Sequence, residues 1–256
     1  MKRTFYKYSG NGNDFILLEG EVPSEEFIRR LCDRHFGVGA DGVLLLGTDP
    51  TADARMRIFN ADGGEAEMCG NGLRCLVTHL DRMSSQPKSS YQIRTMNHLY
   101  EVGKSHGTFA IHMSAVSGIN AVDLSSFKEF EKKFFVNTGV PHLVFLSSDV
   151  MNIDIKKTAP FYRHHALFPN GTNVSFVGLL GSPQSAYVRT FERGVEDETF
   201  SCGTGLTATG LALSHWFGWK GDVHLFTKGG QQTVSIGEKI YYSGEVTFCF
   251  QGEIEP

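Results

Sequence analysis

The chain has 256 residues, of which 41% are hydrophobic and 20% charged, with glycine at 29 positions and a formal net charge of −4. That length fits one large core or two smaller ones, and the composition is that of a folded, turn-rich protein rather than a disordered one. With no long run of Lys or Arg there is no electrostatic footprint for nucleic acid or an anionic membrane, so the expected partner is a small molecule.

In chain order, Met1 to Lys7 has the positive start of an export signal but reaches no apolar stretch before Gly10. No later segment approaches the ~20 apolar residues of a membrane helix, and a cytoplasmic location is expected. Strands are predicted around Thr4–Tyr8 and Phe15–Leu18, then a helix from Ser24 to Phe36, with Ser24 as N-cap and Gly37 as its stop. Short runs at Val43–Leu46 and Arg55–Phe59 read as strands. After Cys69 the spacing of Leu73, Leu76, Val77 and Leu80 is helical, Ser84 to Ser90 reads as a loop, and strands dominate to Met113. A second series follows: strands near Phe134–Asn137 and His142–Leu146, a short helix before His164, and strands near Asn173–Leu179 and Ala186–Phe191. A helix opens at Cys202, and β-rich sequence runs from Val223 to Gln251.

The two halves share a pattern. Cys69-Gly70-Asn71-Gly72 precedes one helix and Cys202-Gly203-Thr204-Gly205 precedes another, which implies duplication into two lobes. The expected division is 1–115 and 116–256, with terminal sequence free to cross back and complete the other lobe. Chance recurrence in a glycine-rich chain is the alternative. Five cysteines at irregular spacing argue against a disulfide framework and suit a reducing compartment. Cys32, Cys75 and Cys249 lie among apolar neighbours and read as small buried hydrophobes. Cys69 and Cys202 differ, because each stands at a helix start with glycine after it. Unpaired amides and the helix dipole favour an anion there, a thiolate or a substrate carboxylate. Two such thiols suit stereoinversion, in which one base removes a proton from one face of Cα and a second acid returns one to the other face. Neither pyridoxal phosphate nor a metal is required.

Asn60 to Cys75, reading Asn-Ala-Asp-Gly-Gly-Glu-Ala-Glu-Met-Cys-Gly-Asn-Gly-Leu-Arg-Cys, resembles the first signature of diaminopimelate epimerase. Gly10 to Phe15, Arg34 to Gly42, Phe168 to Val174, Glu192-Arg193-Gly194 and Cys202 to Gly205 resemble further motifs of that family, in order. The resemblance implies an α+β fold of two pseudo-symmetric lobes, each a barrel-like β-sheet around a central helix, with the active site in the cleft between them. It implies conversion of LL- to meso-diaminopimelate, in lysine and peptidoglycan-precursor synthesis, with Cys69 and Cys202 as the two bases. It also implies that Gly70, Asn71, Gly203 and Thr204 bind the reacting carboxylate through their amides. Asn13, Asn60, Asn173, Glu192 and Arg193 match substrate-binding positions, and His142 matches an auxiliary histidine. Arg193 has the fork that binds a distal carboxylate bidentately, and Glu192 suits an ammonium. A homodimer is left open as the assembly.

Three departures bear on selectivity. Gly42 stands where many members have Gln, Val140 where Asn commonly precedes Pro-His, and the stretch between Glu192 and Cys202 is one residue longer. The first two remove hydrogen bonds to a substrate and imply weaker discrimination against other amino acids. Gly37 to Gly42 fits Gly-x-Gly-x-x-Gly, but it follows a helix and precedes a strand, the reverse of the dinucleotide-binding order. No Cys-x-x-Cys supports zinc. The remaining alternatives are a racemase of glutamate or proline type, an isomerase of the same fold, a cysteine hydrolase using His142, and a non-catalytic amino-acid-binding protein.

Overall fold

The computed structural model describes residues 2–105 and 107–255. Met1, His106 and Pro256 lie outside the described residues, and with Met1 the first position of the segment weighed above as an export signal. In chain order the elements are β1 (Arg3–Gly10), β2 (Asn13–Glu19), α1 (Glu25–Cys32), β3 (Gly42–Gly47), β4 (Ala54–Asn60), β5 (Glu65–Ala66), α2 (Gly70–Met83), β6 (Ser90–Arg94), β7 (Leu99–Ser105) and β8 (Thr108–His112). There follow β9 (Val116–Ser117), β10 (Lys133–Thr138), β11 (Pro141–Leu146), a 3-10 turn (Val150–Asn152), α3 (Ile155–Arg163), β12 (Asn173–Leu179), β13 (Ser185–Glu192), β14 (Asp197–Thr199) and α4 (Gly203–Phe217). The chain closes with β15 (Gly221–Thr227), β16 (Gly230–Ile236), β17 (Ile240–Gly244) and β18 (Val246–Ile254). The fold is α+β and dominated by sheet. Its two compact units are Met1–His112 with Ser243–Pro256, and Met113–Tyr242.

In the first unit β1 pairs antiparallel with β2 and with β18. β2 and β3 run parallel with Phe15 opposite Gly42, and β3 pairs antiparallel with β4 with Gly42 opposite Asn60. Because Phe15-Ile16-Leu17-Leu18 and Val43-Leu44-Leu45 are apolar without alternation, both faces of this parallel pair must be covered. Ile16, Leu18, Val43 and Leu45 pack with Phe27, Ile28 and Leu31 of α1. The opposite face meets α2, which also touches β1, β4, β8 and β18 and so lies at the centre of the strands.

The second unit repeats these pairings. β10 is antiparallel to β11, β11 parallel to β12, β12 antiparallel to β13, and β13 antiparallel to β14 and parallel to β15. α3 supplies Ile155, Ala159 and Tyr162 to a core with Phe145, Phe168 and Phe176. α4, flanked by β10, β11, β12, β13, β15 and β16, is buried nearly all round, as its sparse charge requires. The same strand order around one helix, twice, is the structural form of the repeated cysteine motif.

Two expectations need correction. α1 stops at Cys32, not Phe36, because the Asp33 carboxylate accepts the amides of His35 and Phe36, both at 2.7 Å, and closes a turn in place of another helical turn. Its N-cap is Ser24, whose Oγ accepts the Phe27 N–H at 3.2 Å. Cys249 is exposed, not buried. Tyr8 lies opposite Phe248 and Lys7 opposite Phe250, so Cys249 falls in a bulge and points out of the pairing.

Candidate active site

In the first unit Cys69 is the residue before α2, with extended backbone (φ −142°, ψ 118°), and its carbonyl accepts the Leu73 N–H at 2.8 Å. Helices usually place a Ser, Thr, Asp or Asn oxygen there; this one places a half-buried sulfur. Gly70 and Asn71 supply the first helical amides. The fully buried Arg74 donates to Asn71 Oδ1 at 2.9 Å and to Asn11 Oδ1 at 2.7 Å. Asn71 Nδ2 donates to Asn13 Oδ1 at 2.6 Å, and Asn13 Nδ2 to Asp41 Oδ2 at 3.3 Å. Arg34 donates to Asp41 at 2.8 Å and to both oxygens of Asp14, which also accepts from Lys7 at 2.7 Å. A guanidinium only donates and a carboxylate only accepts, so both asparagine amides have one orientation. Burial works against the charge on Asp14, but the hydrogen bonds from Arg34 and Lys7 outweigh it and hold the carboxyl well below the usual range. Asn60 ends β4, exposed, with its N–H on the Gly64 carbonyl at 2.8 Å.

Gly42 does not read as a lost substrate contact here. A Cβ at this position would stand 2.5 Å from the Phe59 carbonyl oxygen, so glycine is demanded by the approach of β3 to β4.

In the second unit Cys202 precedes α4 with φ −124° and ψ 103°, and its carbonyl accepts the Leu206 N–H at 2.8 Å. Its sulfur lies 3.4 Å from Thr204 Oγ1, which is 2.9 Å from His142 Nε2. His142 is fully buried, its Nδ1 has no hydrogen-bond partner, and burial, then the charge of Arg193, depress its pKa to about 3. The ring is neutral at pH 7. With the proton on Nε2, His142 donates to Thr204 and the Thr204 hydroxyl donates to the sulfur.

Glu192, the last residue of β13, accepts from Thr199 Oγ1 at 2.5 Å and from the Cys202 thiol. Burial pushes the Glu192 carboxyl up. Burial and then the Glu192 charge push the Cys202 thiol well above its ordinary range, against hydrogen bonds from Thr204 and the Gly205 amide. Cys202 is therefore a thiol when the site is empty of substrate. Asn173 Oδ1 accepts the Arg193 N–H at 2.8 Å, and Asn173 Nδ2 donates to the Pro141 carbonyl at 3.0 Å. Parallel pairing sets His142 opposite Asn173. The expected residues of this unit thus gather at the start of α4 and the adjoining ends of β11, β12 and β13.

Several contributors escaped sequence reasoning. Thr138 Oγ1 donates to the Thr204 carbonyl at 3.0 Å. Gln232 Oε1 accepts from Ser201 Oγ and Tyr242 OH, both at 2.5 Å, and the Tyr242 ring covers Gly203, where a Cβ would stand 2.7 Å from Cε1. Among the described residues no group of three or more His, Cys, Asp or Glu side chains is arranged to hold a metal, and no helix is long and apolar enough to cross a membrane.

The sequence model of diaminopimelate epimerase matches residues 5–112 and 134–249. The chain belongs to the diaminopimelate epimerase family. A diaminopimelate epimerase of Methanocella arvoryzae is 38% identical over 276 residues, covering 99% of this chain and 97% of the relative. One from Methanothrix thermoacetophila is 39% identical, covering 96% and 94%, and one from Flavobacterium psychrophilum is 34% identical, covering 97% and 99%. A crystal structure of a Bacillus anthracis phenazine biosynthesis protein of the PhzF family shares the fold with TM-score 0.75 at 15% identity, over 100% of both chains. A hydroxyproline epimerase from Agrobacterium vitis does so with TM-score 0.63 at 16% identity, covering 99% of this chain and 92% of that one. Membership in the diaminopimelate epimerase family makes the chain an amino-acid epimerase, an isomerase.

Proposed function

We propose that the chain converts LL- to meso-diaminopimelate by exchanging one α-proton between Cys69 and Cys202. The observation that carries this reading is the same device twice: a sulfur at a helix N-terminus followed by glycine-opened amides. One cysteine, as thiolate, takes the proton from one face of Cα; the other, as thiol, gives its proton to the opposite face; the reverse reaction exchanges their roles. Charge that develops on the α-carboxylate in the carbanion-like state meets the amides of Gly70, Asn71, Gly203 and Thr204 and the positive helix ends, a preorganised arrangement of the oxyanion-hole kind. Neither pyridoxal phosphate nor a metal enters these steps. Arg193 holds the distal carboxylate, and Asn13, Asn60 and Asn173 bind polar groups of the substrate.

Glu192 couples binding to chemistry. Substrate ammonium paired with Glu192 cancels much of the charge that, after burial, holds the Cys202 proton in place. His142, acting through Thr204, keeps a hydroxyl donor on the sulfur that steadies it once the proton has left. Of the two positions read as lost polar groups, Val140 alone retains that reading. We extend the proposal to slow inversion of glutamate, which keeps an α-carboxylate and a distal one. The proposed compartment is the cytoplasm, where thiols stay reduced, and a homodimer is the assembly to test by light scattering.

The deciding experiment is incubation with LL-diaminopimelate in deuterated water. Meso product carrying deuterium at one α-carbon is expected, and its loss in both Cys69→Ala and Cys202→Ala. Near-normal inversion by either variant would refute the two-base mechanism.

A further inference from the structure

Arg193 lies on the turn between β13 and β14, so its aim depends on what holds that turn. Glu196, in the same turn, has φ 57°, a left-handed backbone that a glutamate adopts only under constraint. Its N–H donates to the Glu192 carbonyl at 2.8 Å. Its Oε1 accepts the Gly194 N–H at 3.0 Å and two N–H groups of Arg163, from Nε at 3.1 Å and from Nη2 at 2.7 Å.

Arg163 belongs to the last turn of α3, and its side chain is 13% exposed. It lies across Gly171, where φ is +70° and a Cβ would stand 1.8 Å from Arg163 Nη1, so only glycine leaves room for it. The Thr172 N–H donates to the Arg163 carbonyl at 3.3 Å. The stretch that Arg163 covers is the one that receives Arg193: Nη1 of Arg193 donates to the Asn170 carbonyl at 3.0 Å, and its N–H to Asn173 Oδ1. Arg193 is therefore held between a turn clamped by Glu196 and a loop clamped by Arg163, and the Arg163–Glu196 pair joins the two.

We propose that Arg163 and Glu196 are positioning residues that set the guanidinium of Arg193, and through it the preference for a substrate with a distal carboxylate. This rests on the proposed function, in which Arg193 binds that carboxylate. An isolated surface ion pair contributes little. This one is shielded on the Arg163 side, shares its oxygen with the Gly194 amide, and closes a turn whose backbone is already strained. A positioning contact to a distal carboxylate held alike in ground and transition states contributes to KM and not to kcat.

The experiment is steady-state inversion of LL-diaminopimelate, with L-lysine, which lacks the distal carboxylate, as comparison substrate. The variants are Glu196→Gln, Glu196→Asn, which keeps a residue tolerant of the left-handed backbone, and Gly171→Ala, which displaces Arg163 from the other side. All three are expected to raise KM for diaminopimelate about tenfold with kcat within about twofold, and to lower the diaminopimelate-to-lysine ratio of kcat/KM about tenfold. Unchanged KM and ratio, or a fall in kcat that follows thermal stability with KM unmoved, overturns the inference. A wild-type chain that inverts none of these amino acids overturns the functional reading and this inference with it. Wild-type inversion of diaminopimelate with unaltered variants overturns this inference alone.

Discussion

At Cys202 burial and the carboxylate of Glu192 keep the proton on sulfur, while the Thr204 hydroxyl and the Gly205 amide favour its loss. Replacing Glu192 by Gln removes the charge and leaves the desolvation, so the thiol of Glu192→Gln should ionise at lower pH. Iodoacetamide labelling of Cys202, followed by peptide mass spectrometry across pH, is expected to begin at lower pH in the variant. Its kcat/KM should nevertheless fall by about 100-fold, the ~2–3 kcal/mol of a lost charge-assisted bond to the ammonium. Labelling profiles that coincide would show that Glu192 does not act on the sulfur. Gly42 and Val140 separate in the same way. Gly42→Gln drives a side chain into the Phe59 carbonyl and is expected to cost about 1–3 kcal/mol of stability. Val140→Asn should lower the glutamate-to-diaminopimelate rate ratio with stability nearly intact, and an unchanged ratio would remove Val140 from selectivity. Local pattern placed each of the two thiols at a helix start, because glycine-rich N-termini are written in consecutive residues. The amide chain from Arg74 through Asn71 and Asn13 to Asp41 was not legible, since its partners meet only after β2 and α2 have packed.

Both motif helices carry glycine in their first turn, but Gly203, the first residue of α4, and Gly72, the third residue of α2, differ in what lies above them. A Cβ on Gly203 meets the Tyr242 ring at 2.7 Å, whereas one on Gly72 meets the Leu44 Cδ2 methyl at 2.8 Å. The ring is held by its hydroxyl on Gln232 and does not swing aside, while a leucine methyl changes rotamer at small cost. Gly203→Ala should therefore shift the first turn of α4 and misplace Cys202, with kcat expected to fall by ~10–100-fold. Gly72→Ala should lose less than about tenfold. Tyr242→Leu in the Gly203→Ala background should recover part of the rate, and failure to do so would mean that the collision is not what displaces the helix. Hydrophobic spacing sufficed to locate these helices because each buries a broad apolar surface. It overran α1, where the Asp33 side chain ends the helix before the periodicity does. It also passed over β5, β9 and β14, whose two or three residues carry no alternation to detect.

On the scale of the whole chain, a repeat was visible in two short motifs, and the strand pairings of the two units follow the same order. The return of Ser243–Pro256 to the first unit was not written in any motif, because β18 is recruited by the free edge of β1 and not by its neighbours in sequence. The second unit also holds a buried polar residue at its heart: His142 on β11, neutral and sealed from water. Its folded pKa of about 3 lies below the ordinary 6.5. Between these values the unfolded chain carries a proton that the folded chain refuses, so folding stability falls as pH falls, by up to about 1.4 kcal/mol per pH unit for one proton. The contribution is intact above pH 6.5 and is lost on the way down to pH 3. Asp14 has the same sign but acts lower, where free carboxylates titrate, and burial depresses His79 in the same direction. The informative quantity is thus a difference between two proteins. Urea unfolding of the wild type and of His142→Asn should give stabilities that differ by a constant above pH 6.5. Below it the wild type should lose stability faster, so the two curves converge or cross before pH 4. Curves that stay parallel from pH 7.5 to 4 would mean that His142 takes up its proton in the folded protein, and that water reaches a ring the structure buries.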